Sequence, residues 1–287
     1  LRKAPLLYGL DTGDVLADPA LDARRQLWVT SAARILATHG MIRFDEVAGT
    51  LHPTSVGRIA SRYYLGHETI AIFATRLRNG IREADALDCM SRATDFAQIP
   101  LRDSEEDELT GLQERVPCQV PGGTATAPGK VNILLQAHIS HLFIEDFALV
   151  SDARYVAQNA GRVLQALFEL SLDRGFATAA SAFLNLAKSV DKCVWPFEHP
   201  LRQYPTLNAD VIHRITMYAD DLEVSQVRAL PRAALASLLR VNERVAGIVQ
   251  DAAERFPAID MTVRARPLPG DVCRLDIALR RAFTWDE

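Results

Sequence analysis

Residues 151–175 read SDARYVAQNAGRVLQALFELSLDRG. Val156, Ala160, Val163 and Leu167 share one face if each residue turns the chain by about 100°. Arg154, Gln158, Arg162, Gln165 and Glu169 fall on the other side, within about 80° of arc. Gly161 lies beside this stripe and Asn159 at its margin. The spacing predicts one long amphipathic helix over 151–174, with an apolar face able to organise a bundle. On this reading the fold class is mainly α.

An ordinary solvated face is the simplest account of the polar stripe. Its composition points further. Solvated faces mix Lys and Glu, whereas this one centres on Gln and Arg. Planar amide and guanidinium groups hydrogen-bond base edges and phosphates, and guanidinium stacks on bases. A glycine beside them admits close approach. The stripe is therefore a candidate wall of a channel for a single nucleic-acid strand.

Outward from this helix the pattern stays helical, with helices predicted over 67–78, 82–94, 104–116, 130–141 and 177–193. Ser104 followed by EEDE reads as a helix start whose acidic first turn suits the macrodipole. PCQVPGGTATAPG, 117–129, reads as a loop. Nearer the N-terminus a helix is predicted over 18–40, with Asp18 as cap, Pro19 in the first turn and Gly40 after the last. MIRFD and LHPT flank EVAGT as a small hairpin with Gly49 in its turn, and a further helix begins at Thr54–Ser55. Beyond residue 208, ADVIHRITMYA, PRAALASLL and NERVAGIVQDAAERF read as shorter helices. After Phe256–Pro257, IDMTVRARPLP and DVCRLDIALRRAF read as strands around a Pro-Gly turn. Two strands do not make an independent domain, so they are expected to open a larger β-sandwich. The first residues, LRKAPLLYGL, read as the interior of a longer protein, without initiator Met or signal peptide.

The 287 residues leave room for about two compact domains. A net charge of −4 does not by itself point to a polyanion partner, so any such partner must be argued from local placement. Cys89, Cys118, Cys193 and Cys273 form no C-x-x-C pair, which argues against a zinc site or disulfide framework. They read as reduced thiols of a cytosolic or nuclear protein. No apolar run reaches about 18 residues, so no membrane-spanning helix is expected.

GGTATAPGKV, 122–131, looks like a phosphate loop but fails in detail. A Walker A loop needs four residues between its glycines, and a hydroxyl after its lysine for magnesium. Here five residues separate Gly123 from Gly129, and Val131 follows Lys130. The segment reads as a loop entering a helix. DEVA, 45–48, falls in the predicted hairpin turn and not after a buried strand. His138 and His141 stand one turn apart without a third ligand in view, which suits a surface or capping role better than a metal. No catalytic residue, metal site or cofactor site is predicted within this chain.

Six stretches occur in one order along essentially the whole chain: VGRIASRYYL (56–65), KVNILLQAHIS (130–140), SDARYVAQNAGRVLQALFEL (151–170), LNLAKSVDK (184–192), HPLRQY (199–204) and FTWDE (283–287). Together they resemble the Sec63 homology unit, the non-catalytic C-terminal part of a Ski2-like helicase cassette. The resemblance implies the end of a winged-helix domain over 1–55 and a helical bundle over 56–206 whose long helix is the ratchet helix. It implies a helix–hairpin–helix domain over 207–257 and the start of an immunoglobulin-like sandwich over 258–287. The ratchet helix would lie beneath RecA-like motor domains of the same chain and face a single-stranded RNA or DNA. Arg154, Gln158, Asn159, Arg162 and Gln165 would be its nucleic-acid-binding residues. Gln158, Asn159 and Arg162 carry the match best, while Gln165 departs from the family, where Arg is common. ATP and magnesium would belong to the motor domains of the parent protein.

HPLRQY resembles the first of the family's two cassettes, whose motor is active. Its residues read as a structural junction. Pro200 stops helix continuation, Leu201 and Tyr204 pack, and Arg202 and Gln203 tie loop carbonyls. LLYGL, DPALDARR, ERVP (114–117) and the AGR element resemble the nuclear, spliceosomal branch of the family, which unwinds the U4/U6 RNA duplex. MIRF (41–44), PGG (121–123), NILLQ (132–136) and YVAQNA (155–160) resemble its sister branch, which acts in ribosome quality control and alkylation repair. The balance lies toward the spliceosomal branch, with spliceosomal proteins as implied partners; the sister branch would be cytoplasmic, with ribosome-associated partners. A reading of another class is a degenerate cassette that serves as a protein-interaction scaffold. A stand-alone α-helical scaffold conflicts with the β-rich end.

Overall fold

A computed structural model of the chain describes residues 4–284. Leu1–Lys3 of the opening segment and Trp285–Glu287 of the FTWDE stretch lie outside the described residues. The chain divides after Cys193 into two compact units. Both are mainly helical, and each carries one two-stranded antiparallel sheet.

The first unit opens with α1 (Thr12–Ala17) and α2 (Asp22–Thr38). The Asp18 carboxylate accepts from the amides of Asp22 and Arg24, each at 3.2 Å. It caps the helix from four residues upstream, because Leu21 is buried and turns into the left-handed region at φ 53°. The helix therefore starts later than the Asp18–Pro19 pattern predicts. Strands β1 (Ile42–Asp45) and β2 (Thr50–Pro53) pair with Ile42 opposite Pro53, and Gly49 turns between them at φ 65°. Thr54 then caps α3 (Ser55–Arg62), its hydroxyl accepting from the Gly57 amide at 3.0 Å.

Helices α4 (His67–Arg76), α5 (Glu83–Ser91) and α6 (Glu106–Gln113) follow, then α7 (Ala127–Ile139), α8 (Phe147–Asp173) and α9 (Ala177–Lys192). The run from Gly129 to Ala137 on α7 is buried at every position, and α5, α6, α8 and α9 all pack on this helix. On α8 the predicted apolar face is the buried one: Val156, Ala160, Val163 and Leu167 have no exposed surface. The helix begins at Phe147, earlier than the stripe suggests, because Asp146 caps it by accepting from the Leu149 amide at 2.9 Å. Ser104 is not the cap of α6, which starts at Glu106. The loop predicted over 117–129 ends sooner. Thr126 caps α7 through the Gly129 amide, and Pro128 lies in the first turn.

The second unit has its own core, formed by Leu201, Val211, Ile215, Val227, Leu235, Leu239, Ala246 and Val249. It is built from α10 (Ala209–Tyr218), α11 (Val224–Ala229), α12 (Arg232–Leu239) and α13 (Glu243–Arg255). Helix α11 has too few residues to show a period. A capping box, Glu223 with Gln226, starts it, and Val227 anchors it. Strands β3 (Ile259–Leu268) and β4 (Val272–Arg281) pair from Ile259 opposite Arg281 to Leu268 opposite Val272. Ile259, Met261, Val263, Leu275, Ile277 and Leu279 on this ribbon are all exposed. Among the described residues no helix is long and apolar enough to cross a membrane.

Candidate nucleic-acid interface

The polar stripe of α8 divides into a bonded part and an open part. Arg162 is bonded within the unit. Its guanidinium donates to the Asp95 carboxylate at 2.6 Å, to the Tyr63 carbonyl and to Asn159 Oδ1 at 3.1 Å. Asp95 also accepts from Thr69 Oγ1 at 3.3 Å, and its carbonyl accepts from the Tyr155 hydroxyl at 3.1 Å. Asn159 donates back to the Tyr155 carbonyl at 3.0 Å. Glu169 accepts from Arg62 at 2.8 Å and from the Tyr63 hydroxyl at 2.8 Å. Burial, and then the bond to Glu169, push the Tyr63 phenol above its usual pKa. Arg162 and Glu169 thus fasten α8 to the end of α3 and the turn around Asp95.

Arg154, Gln158 and Gln165 are exposed and make no side-chain bond among the described residues. Gln158 and Gln165 line a groove of about 570 Å³ between α8 and α9, with Ala157, Gly161, the free edge of Arg162, and Leu184, Ala187, Lys188 and Asp191 opposite. A methyl group added at Gly161 would meet no atom within 4 Å beyond its chain neighbours and the backbone of its own helix. Arg154 and Gln158 continue into a neighbouring hollow of about 740 Å³ whose lining includes His138, His141 and the exposed Phe143. The groove offers uncharged amides, small residues on its floor and charge on its walls.

Lys130, the lysine of the false phosphate loop, has no exposed surface. Its ammonium donates to Glu105 at 2.6 Å, to Asp152 at 2.7 Å and to the Pro100 carbonyl at 2.9 Å. Arg102 reaches the same two carboxylates. All three donors of the ammonium are engaged, so it has none to offer a phosphate. The acidic run that suggested a helix start supplies this buried pair: Glu105 is 1% exposed because it neutralises Lys130.

Residues 53–287 match the family model described as the Sec63 Brl domain. This chain belongs to the Sec63 family. Along its whole length it is 33% identical to the U5 small nuclear ribonucleoprotein 200 kDa helicase of Homo sapiens. It is 36% identical to the RQC trigger complex helicase SLH1 of Saccharomyces cerevisiae and 34% identical to the Activating signal cointegrator 1 complex subunit 3 of Dictyostelium discoideum. Each match covers 100% of this chain and 13% or 14% of the relative. The chain thus spans about an eighth of the length of these relatives.

In this Sec63 chain the HPLRQY stretch belongs to the second unit. Pro200–Gln203 forms a short 3₁₀ turn, Leu201 is fully buried and Tyr204 packs against the same core. Gln203 donates to the Pro200 carbonyl at 3.0 Å, whereas Arg202 pairs with Glu198 and not with a loop carbonyl. His199 is buried, its two ring nitrogens facing the Leu222 carbonyl and the Leu201 amide. Burial lowers its pKa, partly opposed by the bond to Leu222.

His138 and His141 of the Sec63 chain both meet Cys193. His138 Nε2 lies 3.4 Å from its sulfur and His141 Nε2 lies 3.1 Å from its carbonyl. They tie the end of α7 to the end of α9. Among the described residues no group of three or more His, Cys, Asp or Glu could hold a metal. DEVA forms the predicted turn, with Asp45 accepting from the amides of Val47 and Ala48. A further hollow in the second unit, about 500 Å³, is rimmed by Glu198, Asp220, Asp221 and Glu223. That acidic rim repels a phosphodiester. Sequence reasoning missed Lys188 as a member of the groove. The available signal was the spacing of Leu184, Ala187, Lys188 and Asp191 on one face of α9.

Proposed function

We propose that this chain is the non-catalytic part of an ATP-dependent RNA helicase, in which the groove beside α8 guides one strand while RecA-like motor domains bind ATP and magnesium. The observation that carries this reading is the open floor at Gly161. A glycine inside a helix destabilises it by roughly 0.5–1 kcal/mol relative to alanine. At Gly161 no packing within the unit calls for that loss, and the position lies in the groove lining, where it leaves space a strand could occupy. Gln158 and Gln165 flank it with free amides, Arg162 lines it as well, and Arg154 offers a free guanidinium nearby. Membership of the Sec63 family and the three helicase relatives support the same reading.

The finer division follows the family. Residues 1–55 are assigned to the end of a winged helix, 56–206 to the ratchet bundle together with the segment from Val194 that packs in the second unit, 207–257 to a helix–hairpin–helix domain and 258–287 to the start of an immunoglobulin-like sandwich. Pro200, Leu201, Arg202, Gln203 and Tyr204 form its junction. The process assigned is spliceosome activation by unwinding of the U4/U6 duplex in the nucleus, on the strength of LLYGL, DPALDARR and ERVP. A cytoplasmic role on stalled ribosomes is the second reading, favoured by the 36% identity to the RQC trigger complex helicase. Crosslinking in cells separates them, since the first predicts U4/U6 RNA as the captured species and the second ribosomal RNA.

The groove is tested at Gly161 in the full-length protein. Gly161→Ala is expected to raise stability by roughly 0.5–1 kcal/mol. Gly161→Leu is expected to fold normally but fill the floor and slow strand separation. Loss of one base contact is worth about 1–3 kcal/mol, roughly a five- to 150-fold effect. Normal unwinding by a folded Gly161→Leu protein would overturn the channel.

A further inference from the structure

The groove lacks countercharge on its own helix. Gln158 and Gln165 carry none, and Arg162 has given its guanidinium to Asp95 and the Tyr63 carbonyl. The opposite wall is one face of α9, where Leu184, Ala187, Lys188 and Asp191 recur at helical spacing. Lys188 is exposed and makes no hydrogen bond or ion pair among the described residues. Asp191 would oppose an anion, but its carboxylate is held by Lys192 at 2.9 Å. The chain is poor in lysine, and among the described residues the others are Lys130 and Lys192. Lys130 is buried on two carboxylates and Lys192 is paired, which leaves the one free ammonium of the three in the groove.

We infer that Lys188 is a backbone-phosphate contact for a single strand of nucleic acid that lies in the groove against Gly161. The inference rests on the channel reading above and adds to it a residue on the second helix. A strand pressed on Gly161 presents its bases to the amides of Gln158 and Gln165, so its phosphates turn to the other wall. An ammonium suits that position chemically. It is a point charge on a flexible stem and binds a phosphate without fixed geometry, whereas a guanidinium fork binds two oxygens in a set plane. A strand that moves in steps past a fixed helix can exchange phosphates on Lys188 without breaking a bidentate pair.

The test is the salt dependence of oligouridine binding to the full-length protein without nucleotide. Each phosphate contact on a single strand contributes about 0.7 to the slope of log K against log salt. Lys188→Gln is expected to lower the slope by about 0.7, which weakens binding about fivefold near 0.1 M salt and hardly at all near 1 M. Lys188→Arg is expected to keep the slope. Neither variant should change the melting temperature, since Lys188 is exposed and bonded to nothing. Arg154→Gln serves as the second arm. If it lowers the slope while Lys188→Gln does not, a strand follows α8 without touching α9, and the assignment of Lys188 is wrong. If neither variant lowers the slope, the channel reading falls and the Lys188 contact with it.

Discussion

Arg162 shows how far a side chain's type can be read from sequence and how far its role cannot. The spacing places it in the stripe, and there it lies. Its bonds to Asp95 and the Tyr63 carbonyl make it a brace, and only its free edge reaches the groove. Asp95 is 12% exposed as a side chain and would keep only Thr69 if Arg162 were removed. Arg162→Ala is therefore expected to destabilise the first unit by about 1–3 kcal/mol, the cost of leaving a largely buried acceptor without its donor. Chemical denaturation measures this. Unchanged stability with weakened RNA binding would instead make Arg162 a strand contact alone. Lys130 teaches the same lesson in reverse. A lysine after a glycine-rich loop looks like a phosphate ligand, and only its burial against Glu105 and Asp152 shows it to be structural.

At the scale of elements, the buried and exposed faces of α8 follow from its period alone. Its neighbours do not. One margin of the stripe carries Arg162 and Glu169 and is bonded to α3 and Asp95, while the other carries Arg154, Gln158 and Gln165 and stays open, with Gln158 and Gln165 facing α9. Helix α7 was legible as an apolar run, but its entry depends on a close approach. A Cβ on Gly129 would lie 1.9 Å from the Gly123 carbonyl oxygen. Gly129→Ala is expected to push the 122–126 loop off the start of α7 and destabilise the unit by about 1–3 kcal/mol or more, as overpacking does. Thermal denaturation of the variant checks this. A melting point equal to wild type would mean that the loop moves aside freely. Helix α11 was not legible at all. Six residues give less than two turns of pattern, and its capping box sits on an unremarkable Glu-Val-Ser-Gln.

At the scale of the whole molecule, two units meet different fates in burial. The first closes a core around α7 and α8, where ten consecutive-face residues of α8 are buried. The second closes a helical core, but among the described residues no second layer covers β3 and β4, and their apolar side chains stay exposed. A lone two-stranded ribbon is marginal in water. Amides of β3 and β4 in this chain are expected to exchange with solvent at least about a hundredfold faster than those of α8, because local opening there exposes little further apolar surface. Protection of the ribbon equal to that of α8 would show that another surface covers it.

The sequence by itself determined the helical class, the inward face of α8, the hairpin around Gly49 and the family, since these depend on period, turn chemistry and ordered motifs that local residues carry. Tertiary structure decided which polar residues are free. Arg154, Gln158 and Gln165 remain open, Arg162 and Glu169 are bonded to partners more than sixty residues away, and Lys188 joins the groove from another helix. A helical period specifies direction around one axis. What stands in that direction depends on where distant segments pack, and no local pattern contains that.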